Sequence, residues 1–193
     1  MTDNKHGQII SGWLQGCKHV ASENCAPRPV DAPVDLVVVH NISLPPGEFG
    51  GPHIEALFTN RLDPKAHAFF ADIAHLRVSA HFLIRRDGEV VQFVATTESA
   101  WHAGLSNWRG REKCNDFSIG IELEGTDTHV YTDAQYSALS ALIHACKQAH
   151  PDIEPRAIVG HSDIAPGRKT DPGPSFDWHR LGDEIGVKEL PGI

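Results

Sequence analysis

The first clear hydrophobic pattern in the chain is DLVVVHN. Leu36 to Val39 are consecutive apolar residues bounded by Asp35 and Asn41, the pattern of a strand buried on both faces. It predicts a strand ending at His40, because SLPPGEFGGP beyond it is turn-forming throughout. Pro52 followed by Ile54, Leu57 and Phe58 at helical spacing predicts a helix that Pro64 ends. SAHFLIRRDGEVVQFVA reads as a β-hairpin turning at Asp87-Gly88. FSIGIELEG alternates strictly, with Phe117, Ile119, Ile121 and Leu123 on one face and Ser118, Gly120, Glu122 and Glu124 on the other.

From Thr132 the period changes. Thr132 and Gln135 form a capping box. Tyr136, Leu139, Leu142, Ile143 and Cys146 then make the apolar stripe of an amphipathic helix from Asp133 to about Ala149. After Pro155, AIVGH predicts a short final strand closing at His161. Strands and helices interleave, which predicts an α/β fold with a central mixed β-sheet flanked by α-helices. At 193 residues the chain is expected to form a single domain, with the Pro-rich CAPRPVDAP making 1–33 an irregular lead-in.

Composition narrows the function classes. The 17 basic and 25 acidic residues give a net charge of −8, against a protein that binds nucleic acid by neutralising phosphates. No stretch approaches a membrane span, and MTDNKHGQIISGWLQGCKHV lacks the apolar run of an export signal. Cys17, Cys25, Cys114 and Cys146 form no CxxC pair, so reduced thiols are expected. These features read as a cytoplasmic protein, with a monomer as the default.

Among 13 histidines, His40 and His161 stand apart because each closes a short apolar strand and opens onto a Gly/Pro-rich loop. Ligand sites of α/β sheets gather at such strand ends. Asp171 lies in GRKTDPGPSFDW, a loop whose shape Pro172 and Pro174 restrict. Two imidazoles and a carboxylate are the three-ligand set of a catalytic zinc site, its fourth position left to water whose pKa falls to about 7. Glu122 is a candidate general base on the polar side of its strand, with Glu124 as its rival on the same face. Lys169 is placed to offer an ammonium to an oxyanion.

The stretches VVVHNISLPPGEFGGP, AHLRVSAHFLIRRDGEVVQFV, AWHAG, NDFSIGIELEGTD and GHSDIAPGRKTDPGP resemble the zinc-dependent N-acetylmuramoyl-L-alanine amidases of the amidase-2 class. These share their fold with the peptidoglycan recognition proteins. The resemblance spans about 34–178, leaving 1–33 and the tail 182–193 least matched. It implies one zinc ion per chain held by His40, His161 and Asp171, Glu122 rather than Glu124 as the catalytic acid–base, and Lys169 as the transition-state lysine. It further implies substrate contacts at Asn41, Arg77, Trp101, His102 and Lys113, with Arg77 on a stem-peptide carboxylate and Lys113 where relatives carry Arg. The implied reaction is hydrolysis of the lactyl–L-alanine amide of (1,6-anhydro-)N-acetylmuramic acid, on peptidoglycan fragments during recycling. The rival classes are an exported amidase acting on intact wall and a non-catalytic peptidoglycan-binding module.

Overall fold

The structure is a computed structural model that describes residues 7–190. In chain order it begins with β1 (Ile9–Ile10), β2 (Trp13–Leu14), β3 (Lys18–His19) and β4 (Cys25–Pro27). There follow β5 (Leu36–Ile42), α1 (His53–Phe58), α2 (Ala68–Ile73), β6 (Phe82–Ile84), β7 (Val90–Gln92) and β8 (Glu98–Ala100). The second half contains β9 (Asn107–Trp108), β10 (Arg111–Glu112), β11 (Ser118–Glu124), α3 (Asp133–Ala149), β12 (Ile158–Gly160), α4 (His161–Ile164) and α5 (Trp178–Ile185).

The main sheet has six strands in the order β12-β5-β11-β6-β7-β3. β12, β5, β11 and β6 are parallel, and β7 runs antiparallel to β6 as the hairpin predicts. Parallel strands need crossovers, which are usually helical; here α1 and α2 lie between β5 and β6, and α3 between β11 and β12. Alternation then sorts the side chains. Val37, Val39, Ile119, Ile121 and Leu123 face α3 and α5 in one core. Leu36, Val38 and Val159 pack on the opposite face with Ala103, Cys114 and Ile164. Leu36 to Val39 are fully buried, and at about 1.5–3 kcal/mol per side chain they anchor the strand that holds a buried polar His40 at its end.

Three boundaries and one element differ from expectation. β5 runs past His40 to Ile42, because its ladder with β11 continues through His40–Glu122, Asn41–Leu123 and Ile42–Glu124. α1 stops at Phe58, well before Pro64: the Thr59 hydroxyl donates to the Glu55 carbonyl (2.7 Å), and Asn60 turns to a φ of 60°. His161 begins α4 instead of ending β12. α2 was not anticipated; His67 caps it, its Nδ1 accepting from the Phe69 N–H at 3.1 Å.

The lead-in is structured. β3 forms an edge of the main sheet and β4 pairs with β8, while the Arg28 guanidinium donates to the carbonyls of Thr96, Asn115, Asp116 and Ser118. The tail also contributes: α5 continues to Ile185, and Leu181, Ile185 and Leu190 are buried in the α3 core. The first six and last three residues of these two segments lie outside the described residues. Among the described residues no helix is long and apolar enough to cross a membrane, and all four cysteines are free thiols.

Candidate metal centre

Parallel strands in one register put their C-terminal ends along one edge of the sheet. β5 carries His40 there, β11 carries Glu122, and β12 leads directly into His161. Asp171 returns to this edge on the loop after α4, where its backbone carbonyl accepts from the Ser162 N–H (3.0 Å) and so ties the loop's two ends together. The ligand atoms converge. His40 Nδ1 lies 2.9 Å from His161 Nδ1, and Asp171 Oδ2 is 3.0 Å from each. Both histidines are buried, at 1% and 3% exposure.

This donor set fits a zinc ion. His161 Nε2 is 3.0 Å from the Ala103 carbonyl, which can only accept, so the neutral ring keeps its lone pair on Nδ1. Nδ1 lone pairs and a carboxylate oxygen at one point are stabilised together by a cation. Burial pushes His40 down to about 4, with His161 and Lys169 adding to the effect and Asp171 opposing it; a neutral imidazole is the ligand form. Burial alone would raise Asp171, but the His161 and His40 side chains that meet its Oδ2 outweigh it and hold the carboxyl well below its usual range. Among the described residues, His40, His161 and Asp171 are the cluster able to hold such an ion.

The metal loop is clamped from outside. The Pro172 carbonyl accepts from the Tyr131 hydroxyl (2.8 Å) and from the Asn41 amide (3.1 Å), whose other contact is Asp127 Oδ1 at 2.8 Å. Gly173 has a φ of 82°, and a Cβ there would fall 2.3 Å from the Asp127 Cα, so only glycine permits this approach. The Asp171–Pro172 peptide is cis.

The two glutamates of β11 differ sharply. Glu124 is saturated: its Oε1 accepts from Arg85 (3.0 Å) and the Gly50 N–H (2.7 Å), and its Oε2 from the Arg86 N–H (3.2 Å). Glu122 is buried, and its Oε2 has no hydrogen-bond partner among the described residues. Burial, then the charge of Asp171, raises its pKa well above the ordinary carboxylate value, with Lys169 opposing. A buried orphan carboxyl is costly, and such groups are frequently retained for function.

A cleft of about 410 Å³ opens over these groups, lined among others by His40, Asn41, Trp101, Glu122, Lys169 and Asp171. A larger cavity of about 490 Å³ lies at Lys18, Glu55, Arg85 and Glu124, but these four charges pair off with one another, and the chemistry is in the smaller one.

The profile of the N-acetylmuramoyl-L-alanine amidase family, Amidase_2, matches residues 30–174. The chain belongs to this family. It is 64% identical over 173 residues to the 1,6-anhydro-N-acetylmuramyl-L-alanine amidase AmpD of Escherichia coli K12, spanning 90% of this chain and 94% of that protein. The crystal structure of a selenomethionine AmpD derivative superposes with a TM-score of 0.89 at 60% identity, over 92% of this chain and 98% of that one. AmpDh3 from Pseudomonas aeruginosa in complex with anhydromuramic pentapeptide matches at 31% identity with a TM-score of 0.58, over 80% of this chain and 60% of its own. The mixed α/β domain is thus the amidase fold.

Within this amidase the residues expected to contact substrate divide. Trp101 lines the cleft. Arg77 is exposed between Leu76 and Val78, which both line it. Asn41 borders the cleft, but its amide hydrogens go to Asp127 and Pro172. His102 borders it too, yet both ring nitrogens are engaged: Nδ1 lies 2.9 Å from His40 Nε2, and Nε2 lies 3.1 Å from Ser118 Oγ. Lys113 sits away from the cleft wall, in a left-handed conformation before the 3-10 turn Cys114–Asp116. Sequence reasoning missed Arg168, whose guanidinium bridges to the carbonyls of Ala103 (2.8 Å) and Leu105 (2.6 Å) across the His161 ring. Its only signal was adjacency to Lys169.

Proposed function

We propose that this chain is a zinc-dependent amidase that hydrolyses the amide between the lactyl group of 1,6-anhydro-N-acetylmuramic acid and L-alanine of the stem peptide. The reading places it, as a monomer, in cytoplasmic peptidoglycan recycling. The observation that carries it is the meeting of His40, His161 and Asp171 at one point beside the unpartnered carboxyl of Glu122. A binding module has no use for either. The similarity to AmpD enzymes named for anhydro substrates supports the substrate class.

A zinc ion held by His40, His161 and Asp171 would supply a Lewis acid and water of lowered pKa. Glu122 takes the proton of the attacking water and returns it to the departing L-alanine nitrogen. A carboxyl whose pKa burial raises above the ordinary value is a stronger base than a free glutamate, which suits taking the water's proton, and once protonated it is the acid that returns it. Lys169 lines the same cleft and faces its ammonium to the oxyanion that forms at the amide carbonyl. Trp101 offers an apolar wall to the substrate, and Arg77 on the rim takes a carboxylate of the stem peptide.

The test is substrate choice. The protein is incubated with soluble anhydromuropeptides and, separately, with intact sacculi, and the products are identified by mass. Release of free stem peptide from the soluble substrate is expected. Cleavage of sacculi alone would overturn the recycling assignment, and cleavage of neither would favour a binding module.

A further inference from the structure

His161 has a backbone carbonyl behind it to set its tautomer, whereas His40 has another imidazole. We infer that His102 is a positioning residue for the metal centre, accepting the Nε2–H of His40 and so holding the His40 Nδ1 lone pair toward His161 and Asp171. This rests on the reading of those three residues as zinc ligands.

The direction of the relay is set from its far end. The Cys114 carbonyl has no hydrogen to give, so the Ser118 hydroxyl donates to it and spends its one hydrogen there. Towards His102 the Ser118 oxygen then acts as an acceptor, and the hydrogen on that 3.1 Å contact belongs to His102 Nε2. A neutral His102 with Nε2 protonated has its lone pair on Nδ1. That atom lies 2.9 Å from His40 Nε2, so the hydrogen between them belongs to His40. His40 Nδ1 is left bare, aimed at Asp171 and His161.

The ring of His102 is built into this position. Asn115 Oδ1 accepts from the backbone N–H groups of His102 (3.1 Å) and Ala103 (2.8 Å), fixing the segment. On β11, between Ser118 and Glu122, Gly120 leaves a slot: a Cβ there would fall 2.4 Å from His102 Cγ. The polar side of the strand thus reads hydroxyl, gap, carboxyl, and the gap receives the imidazole. Outer partners of this kind orient metal ligands, and their loss costs about 10–100-fold in metal affinity.

The experiment compares His102→Phe and His102→Asn with the wild-type chain. Phe fills the slot without a nitrogen; Asn places an amide oxygen where Nδ1 was. Zinc affinity is measured by competition with a chromophoric chelator, and imidazole 15N NMR of the metal-free wild type reports its tautomers. We expect His102→Phe to bind zinc about 10–100-fold more weakly, His102→Asn to stay within a few-fold of wild type, and His40 to be the Nε2–H tautomer. Wild-type affinity in His102→Phe, or an Nδ1–H tautomer at His40, would overturn the inference. If His102→Phe does not fold, the Asn variant and the wild-type tautomer decide. Failure of the wild type to take up zinc would instead refute the metal reading, and the tautomer would still test the relay.

Discussion

Glu122 stands directly opposite His40 in the parallel register of β5 and β11. Strands lie about 4.7–4.9 Å apart, so a metal ligand and an unpartnered carboxyl share one side of the sheet, one strand apart. Glu122→Gln keeps the size of the side chain and removes its capacity to carry a proton. Its kcat is expected to fall by about 10²–10⁴-fold with zinc content unchanged by elemental analysis. Near-normal turnover in the zinc-loaded variant would remove Glu122 from the mechanism.

The same carboxyl carries a stability signature. Its folded pKa is raised by burial above the ordinary value, so the folded state holds the proton more tightly than the unfolded chain. The contribution of Glu122 to stability is therefore fullest below pH 4.5 and declines as pH rises through the folded value. In chelated protein Glu122→Gln removes that decline, and the variant is expected to be more stable by roughly 0.5–2 kcal/mol at neutral pH. The gain should shrink toward pH 4. Thermal melts at several pH values check this, and a gain that does not vary with pH would contradict it.

Glu124 predicts the opposite behaviour. It is 1% exposed and holds Arg85, the loop at Gly50 and the hairpin at Arg86. Glu124→Ala strands a buried guanidinium that keeps only Glu55, and the expected loss is about 3 kcal/mol by denaturant unfolding. A melt within error of wild type would show that this ion pair does not brace the fold.

Gly173→Ala tests the clamp on the metal loop. The left-handed backbone alone costs about 1–2 kcal/mol for a residue with a Cβ, and the contact with Asp127 forces the loop outward. Zinc is expected to be lost to a chelator more readily than from wild type, because Asp171 moves with Pro172. Unchanged zinc retention would mean that Asp171 is held by other contacts.

Much of this site was legible before any coordinates. His40, His161 and Asp171 were picked out by strand ends and a braced loop, and strict alternation in FSIGIELEG put Glu122 on the face opposite the core of α3. Spacing alone left Glu122 and Glu124 as rivals, because the difference lies in partners 38 or more residues away in sequence, such as Arg85, 39 positions off. Two-residue strands such as Lys18–His19 carry no periodicity to read, so the lead-in passed for irregular chain. α2 buries only Phe70, too little apolar surface for a stripe. α5, by contrast, had readable signals in its Asp177 cap, Leu181, Ile185 and the terminating Gly186. The place of His102 behind His40 was not legible, because the empty place of Gly120 that receives its ring becomes visible only when β11 and AWHAG are brought together.

The most direct measurement is product analysis across a metal cycle. The protein is stripped with a chelator, assayed on a soluble anhydromuramyl peptide, reloaded with one equivalent of zinc, and assayed again, with products identified by mass. No cleavage is expected when stripped, and on reloading 1,6-anhydro-N-acetylmuramic acid and a stem peptide with a free L-alanine amine should appear. Intact substrate after verified zinc loading, or undiminished cleavage by verified metal-free protein, would contradict it.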